Sequence, residues 1–229
     1  VKNNVLVLGD GLLGSEIVKQ TGWKYLSRKK DGILIDRMPM MCQGAEDIVV
    51  NCIGCTDTYS LDSEEHLKVN FDFVKMLVDI CNTNETKLVH ISTDYVYANS
   101  VDNATEEDVP VHLGTWYGYS KLLGEGYVQR QSIEYLICRV THKSKPFKYS
   151  KAWLDQIGNF DYVDKQTERI IKLIKRGAKG VYNVGGKTTN MYELASKTNS
   201  NVIGVDADSG VPKNLTMNIK KMEREIESN

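Results

Sequence analysis

Short apolar runs alternate with amphipathic stretches along most of the chain. VLVL (Val5 to Leu8) is apolar throughout, the pattern of a strand buried on both faces. GDGLLG (Gly9 to Gly14) follows, and a helical stretch continues to about Gln20. KYLS (Lys24 to Ser27) reads as a second strand, ILI (Ile33 to Ile35) as a short third and DIVVNC (Asp47 to Cys52) as a fourth. From Leu61 to Asn82 the apolar positions Leu67, Phe71, Val74, Leu77 and Val78 recur at helical spacing. KLVHIS (Lys87 to Ser92) predicts a fifth strand. A polar loop from Ala98 to Pro110, with the acidic triplet Glu106, Glu107 and Asp108, leads into a helix that carries Tyr117 and ends near Gln131. YLICR (Tyr135 to Arg139) completes the series as a sixth strand.

Strands that alternate with helices predict an α/β fold with a Rossmann-like doubly wound parallel sheet and right-handed crossovers. The pattern changes after Val140. Thr141 to Asn159 is mixed and lysine-rich, with a short helix expected around Trp153. Asp164 to Arg176 reads as helix, Val181 to Val184 as strand and Asn190 to Thr198 as helix. The last third therefore forms a small, abbreviated C-terminal annex. Residues 1–143 are expected to form the Rossmann domain and 144–229 the annex, with about 164–176 packing back on the first part.

The chain has 229 residues, which suits one α/β domain with an annex. A net charge of −1 gives no broad basic field for nucleic acid. No apolar run approaches the roughly 20 residues of a membrane span. Five cysteines, an odd number, and no secretory signal before the first strand point to a reducing, cytoplasmic compartment. Cys52 and Cys55 have CxxC spacing. They end an apolar strand, with neither a second CxxC nor paired histidines, so zinc and redox roles are not expected and no metal site is assigned.

Gly9-Asp10-Gly11-Leu12-Leu13-Gly14 is a GxGxxG placed after the first strand and at the opening of a helix. That context gives the motif meaning: glycine lets a pyrophosphate approach the backbone, and the helix N-terminus offers free N–H groups to it. An NAD site usually has an acid after the second strand for the ribose 2′-hydroxyl. Here Ser27, Arg28 and Lys29 stand there, which favours a 2′-phosphate and hence NADP(H). Asp31 and Asp36 lie nearby and keep NAD(H) admissible.

Tyr117 and Lys121 are four residues apart, on one helix face, whereas Tyr119 points elsewhere. A phenol has a pKa near 10, and a lysine ammonium held close favours the phenolate. Thr93, at the end of the fifth predicted strand, supplies a hydroxyl at the sheet edge where ligands bind in such folds. Thr93, Tyr117 and Lys121 are the candidate catalytic set.

These residues resemble the extended short-chain dehydrogenase/reductase superfamily, and more closely the dTDP-4-dehydrorhamnose reductase family. The resemblance rests on HISTDYVY (His90 to Tyr97) and WYGYSKLLGE (Trp116 to Glu125). It extends to IVVNCIGCTD (Ile48 to Asp57), to Asn70 in KVNFDFVKML, to GVYNVGGKTTNMYELA (Gly180 to Ala195) and to VPKNLTMNIKKME (Val211 to Glu223), so it spans nearly the whole chain. It implies an NADPH-dependent reductase of a nucleotide-linked 4-keto-6-deoxy sugar. Tyr117 would protonate the C4 carbonyl oxygen, Lys121 would hold the nicotinamide ribose and lower the phenol's pKa, and Thr93 would hydrogen-bond the carbonyl. Cys52, Ile53 and Gly54 would line the cofactor, with Asp36 and Arg37 near its adenosine half. Thr56, Tyr95 and His142 would lie near the sugar. A homodimer is compatible with the resemblance.

Three features depart from the family pattern. The first glycine spacing is one residue shorter than GxxGxxG. His142, in RVTHKS, stands where a tryptophan is usual. The segment between Lys143 and Asp161 is shorter. An epimerase or dehydratase of the same superfamily is an alternative, with Asp94 as its extra acid–base group, although the Asp-Glu pair of dehydratases is absent. A non-catalytic relative that regulates a partner enzyme is another.

Overall fold

The computed structural model describes residues 4–32, 35, 37, 40, 42, 46–108 and 114–228. The first half contains β1 (Val5–Leu8), α1 (Leu12–Thr21), β2 (Lys24–Leu26), α2 (Arg28–Asp31), β3 (Ile48–Asn51), α3 (Ser63–Leu67), α4 (Phe73–Thr83) and β4 (Lys87–Ser92). Next come a 3₁₀ turn (Asp94–Tyr97), α5 (Trp116–Gln131), β5 (Tyr135–Val140), β6 (His142–Lys143), β7 (Lys151–Trp153), β8 (Ile157–Gly158), β9 (Asp161–Tyr162) and α6 (Val163–Lys175). The chain continues through β10 (Gly180–Val184), β11 (Thr189–Asn190), α7 (Met191–Ser196), β12 (Ile203–Val205), β13 (Asn214–Leu215) and α8 (Lys220–Glu227).

The main sheet has the order β2-β1-β3-β4-β5-β10, and every neighbouring pair is parallel. Its strands are apolar throughout because both faces are covered. Val5 and Val7 pack with Leu13 and Ile17 of α1 and with Ile170, Leu173 and Ile174 of α6. Leu6 and Leu8 face the other way, onto Phe73, Val74, Leu77 and Val78 of α4. The segment about 164–176 thus lies against α1, on the same layer as the first crossover. The chain adds β2 on one side of β1 and β3 on the other, so the order reverses there and opens a crevice beyond the strands' carboxyl ends.

Several expectations change in detail. The long stretch from Leu61 is α3 and α4 joined through a π-helical turn, Lys68–Asp72, which carries buried Asn70. Such turns recur at functional sites. Around Trp153 there is no helix: Lys151–Trp153 is a strand paired in parallel with Ile203–Val205. That pairing satisfies the backbone and buries Ala152 in the annex core with Phe147, Phe160, Met191 and Leu194. Of the expected third strand, Ile33 and Leu34 lie outside the described residues, and Ile35 is a buried turn residue. Smaller sheets, β11-β8-β13, β12-β7 and β6-β9, build the rest of the annex. No described helix is long and apolar enough to cross a membrane.

α5 sits tightly on the π turn because Gly124 has no side chain. A Cβ there would lie 2.2 Å from the Asn70 carbonyl oxygen, whereas one at Gly126 meets nothing within 4 Å. Gly124→Ala should therefore cost about 1–3 kcal/mol through overpacking. Gly126→Ala should be neutral or stabilising by up to about 1 kcal/mol. Urea unfolding of the two variants checks this, and equal effects would contradict the packing argument.

Candidate active site

The crevice holds a cleft of about 940 Å³, walled on one side by the glycine loop and on the other by the annex. Gly9 has φ +98°, in the left-handed region that favours glycine, and its N–H donates to Leu26 O at 2.8 Å. A Cβ on Gly14 would sit 2.1 Å from Gly9 O and 3.3 Å from Cys52 Cβ. Gly9 and Gly14 therefore pack beneath the loop, while Gly11, Leu12 and Leu13 face the cleft. Asp10 anchors the turn by accepting Ser15 Oγ on its carbonyl at 2.8 Å. No side chain caps α1, and its first turn has no acid, so its leading N–H groups face the cleft without an internal competitor. The loop fits a dinucleotide diphosphate despite its shorter first spacing.

At the end of β2, Ser27 is fully buried and caps α2: its hydroxyl accepts from Lys30 N at 3.0 Å. It is not the open hydroxyl expected for a 2′-phosphate, because that expectation took no account of local capping. Arg28 and Lys29 are exposed at the same point. Arg37 is exposed, and Asp36 lies outside the described residues.

Beyond β3, Cys52, Ile53 and Gly54 form the cleft floor. Asn51 Oδ1 accepts Ile53 N at 3.0 Å. Asn70 clamps the loop, accepting Cys55 N at 2.9 Å and donating to Cys55 O at 3.0 Å and Ser120 Oγ at 2.9 Å. Burial pushes the Cys52 thiol up to about 12 and raises that of Cys55, and all five cysteines are free thiols.

Thr115 caps α5, accepting Gly118 N at 3.1 Å, which aims Tyr117 and Lys121 at the cleft floor. Lys121 is buried and donates to Ile91 O at 2.6 Å. Burial lowers its ammonium to about 8, with Glu125 and Cys52 pulling the other way. Burial raises the Tyr117 phenol to about 12. A hydrogen bond with the Thr93 hydroxyl lowers it, and Asp94 and Cys55 raise it further. The expected depression of the phenol's pKa is thus replaced by elevation, because desolvation dominates and the Lys121 ammonium is held by a backbone carbonyl. Thr93, Tyr117 and Lys121 do share one wall of the cleft. Tyr119 instead packs edge-on against Trp116, ring centroids 5.7 Å apart.

Tyr95 stands edge-on to Tyr117 at 5.7 Å and hydrogen-bonds the Tyr59 hydroxyl at 2.9 Å. Thr56 is exposed at the cleft rim. His142 lines the cleft with its imidazole pushed down to about 4 by burial, and hence neutral. Sequence reasoning missed Tyr59, Thr141 and Lys143. Lys143 directly follows His142, so the run RVTHKS carried the only available signal for it.

Beneath the wall lies a buried ion pair. Arg139 of β5 meets Glu125 of α5, with Nε to Oε1 at 3.0 Å and Nη2 against the same oxygen. Glu125 also accepts Ser92 Oγ at 2.7 Å, at the end of β4 next to Thr93. The pair fixes helix and strand ends in one register.

A parallel sheet with a glycine loop at its switch point and Thr93, Tyr117 and Lys121 lining the cleft beyond it defines a Rossmann-type α/β protein. The family model described as RmlD substrate binding domain matches residues 3–205, and the chain belongs to that family. It is 28% identical over 218 residues to the spore coat polysaccharide biosynthesis protein SpsK of Bacillus subtilis, an alignment covering 84% of this chain and 77% of that one. It is 35% identical over 98 residues to a Haloferax volcanii protein named "Probable low-salt glycan biosynthesis reductase Agl14", covering 42% of this chain and 32% of the relative. The crystal structure of dTDP-4-dehydrorhamnose reductase from Bacillus anthracis in complex with NADP superposes with a TM-score of 0.81. The identity is 22%, covering 97% of this chain and 92% of that one.

Glu125→Ala would leave the Arg139 guanidinium buried and unpaired, and should destabilise the fold by about 3–5 kcal/mol. Urea denaturation measures this, and a loss below about 1 kcal/mol would show that the pair does not hold the wall.

Proposed function

We propose that the protein is an NADPH-dependent reductase of a nucleotide-linked 4-keto-6-deoxy sugar. One observation carries this reading: Thr93, Tyr117 and Lys121 line the same cleft as the glycine cradle, within the 940 Å³ that a cofactor and a sugar would share. Family membership and the NADP complex of the superposed reductase support it.

The backbone N–H groups at Gly11, Leu12 and Leu13 bind the diphosphate, and Cys52, Ile53 and Gly54 form the floor under the nicotinamide. Arg28 and Lys29 reach the 2′-phosphate from the end of β2. NADPH bound there supplies the hydride that reduces C4. Tyr117 gives its phenolic proton to the C4 oxygen as negative charge develops on it. A phenol held near 12 keeps its proton until a stronger base, the nascent alkoxide, draws it. Lys121, released from Ile91 O, holds the nicotinamide ribose, and its positive charge stabilises the phenolate that Tyr117 becomes. Thr93 orients the carbonyl oxygen, and Tyr95, Thr56 and His142 border the sugar.

Turnover is checked by following NADPH oxidation with an enzymatically prepared nucleotide-4-keto-6-deoxy sugar. Tyr117→Phe should lower kcat by about 10²–10⁴-fold while NADPH still binds. Tyr119→Phe, off the cleft face, should stay within about twofold by the same logic. Equal losses in the two would contradict the assignment. Arg28→Ala should weaken NADPH about tenfold or more, the worth of a charged hydrogen bond, and leave NADH nearly unchanged. Fluorescence titration of both cofactors reads this, and an unaltered preference would place the 2′-phosphate elsewhere.

A further inference from the structure

The Thr93 hydroxyl has a single proton to give. Its oxygen lies 3.2 Å from Asp94 Oδ1, and the Thr141 hydroxyl lies against that same oxygen. Asp94 is fully buried, and its Oδ2 has no hydrogen-bond partner among the described residues. If Asp94 is a carboxylate, Thr93 must donate to it, and a substrate carbonyl, which only accepts, receives nothing from Thr93. If Asp94 is a carboxylic acid with its proton on Oδ1 directed at Thr93, while Thr141 donates to that oxygen and Thr93 Oγ also accepts Tyr95 N at 3.2 Å, the threonine proton is free for the carbonyl oxygen.

We propose that Asp94 is a positioning residue that sets the direction of the Thr93 hydroxyl, and that its neutral, carboxylic-acid form is the working one. This rests on the reductase function proposed above. An unpartnered oxygen in the interior is far less costly on a neutral acid than on an anion. Burial accordingly raises the Asp94 pKa, against the pull of its two threonine hydroxyls. The charged and titratable groups that face it are Lys143 of β6, Tyr117 of α5 and Tyr95 on its own turn. Of these charged and titratable groups Lys143 alone favours the carboxylate, and Asp94's own backbone N–H adds to the pull of the two hydroxyls. Its own ammonium is pushed toward neutrality by burial, and it makes no hydrogen bond to a described residue. The signs are then fixed. Raising the pH through the Asp94 pKa turns Thr93 away from substrate, and removing the Lys143 charge delays that turn to higher pH.

The test is the pH dependence of kcat/KM for wild type, Asp94→Asn and Lys143→Met. Asparagine cannot ionise, and with its amide nitrogen in the Oδ1 position it donates to both hydroxyl oxygens and leaves the Thr93 proton free. Wild type should lose activity as pH rises above the usual carboxylate range. Asp94→Asn should lack that fall and, at neutral pH, turn over at least as fast as wild type. Lys143→Met should move the fall to higher pH. A separate loss near pH 8, as Lys121 gives up its charge, should be common to all three. If Asp94→Asn is less active at neutral pH and the acid-side fall stays, or if Lys143→Met moves it downward, the proposal is overturned. Should wild type fail to turn over the sugar, the reductase function fails, and infrared difference spectra then decide Asp94. A carboxylic-acid C=O band lost in Asp94→Asn and persisting to higher pH in Lys143→Met supports the neutral acid. No such band above the ordinary aspartate range overturns it.

Discussion

The buried ion pair between Arg139 and Glu125 is the constraint on which the rest of the site depends. Glu125 lies one turn beyond Lys121 on α5, and Arg139 lies near the carboxyl end of β5. Their contact, extended through Ser92, holds the helix that carries Tyr117 against the strand end that carries Thr93. A buried pair is weak evidence for stability as such, since desolvating two charges offsets much of their attraction. What it does supply is register. With the helix slid by a turn, two charges would be stranded in the interior, so alternative seatings of α5 are excluded at high cost.

Close packing at two glycines extends the same logic to the other wall. Gly124 lets α5 approach the π turn until the Asn70 carbonyl touches it, and Asn70 in turn clamps the loop that floors the cleft. Gly14 lets α1 close on Gly9, which turns the N–H groups of the helix end toward the same space. The two walls are rigid for separate reasons and face each other across the topological switch point of the sheet. Burial on this scale decides the electrostatics. It pushes the Tyr117 phenol up, the Lys121 ammonium down and the His142 imidazole down, so the cleft is set by desolvation more than by pairs of charges.

Features written in short-range spacing were legible in the sequence. The doubly wound sheet follows from apolar runs separated by helical periods, the cradle from three glycines after β1, and the Tyr117–Lys121 face from a four-residue interval. Features that depend on long-range partners were not. Asp94 meets Thr141 across 47 residues, and Tyr95 meets Tyr59 across 36. Trp153 sits in a strand because β12, some fifty residues later, pairs with it. Ser27 reads as an open hydroxyl until the cap of α2 is seen to take it, and the phenol's pKa depends on a burial that no spacing encodes.

The central claim is that this cleft passes a hydride to C4 of a nucleotide-linked keto sugar while Tyr117 supplies the proton. The most direct measurement uses NADPH deuterated at the transferring position of C4, with the sugar product followed by mass spectrometry and proton NMR. The account predicts one deuterium at C4 of the sugar, and the hydroxyl proton drawn from solvent. Cofactor left reduced with a stereochemically altered sugar would instead identify an epimerase, and recovery of unchanged sugar and cofactor would contradict the reductase assignment.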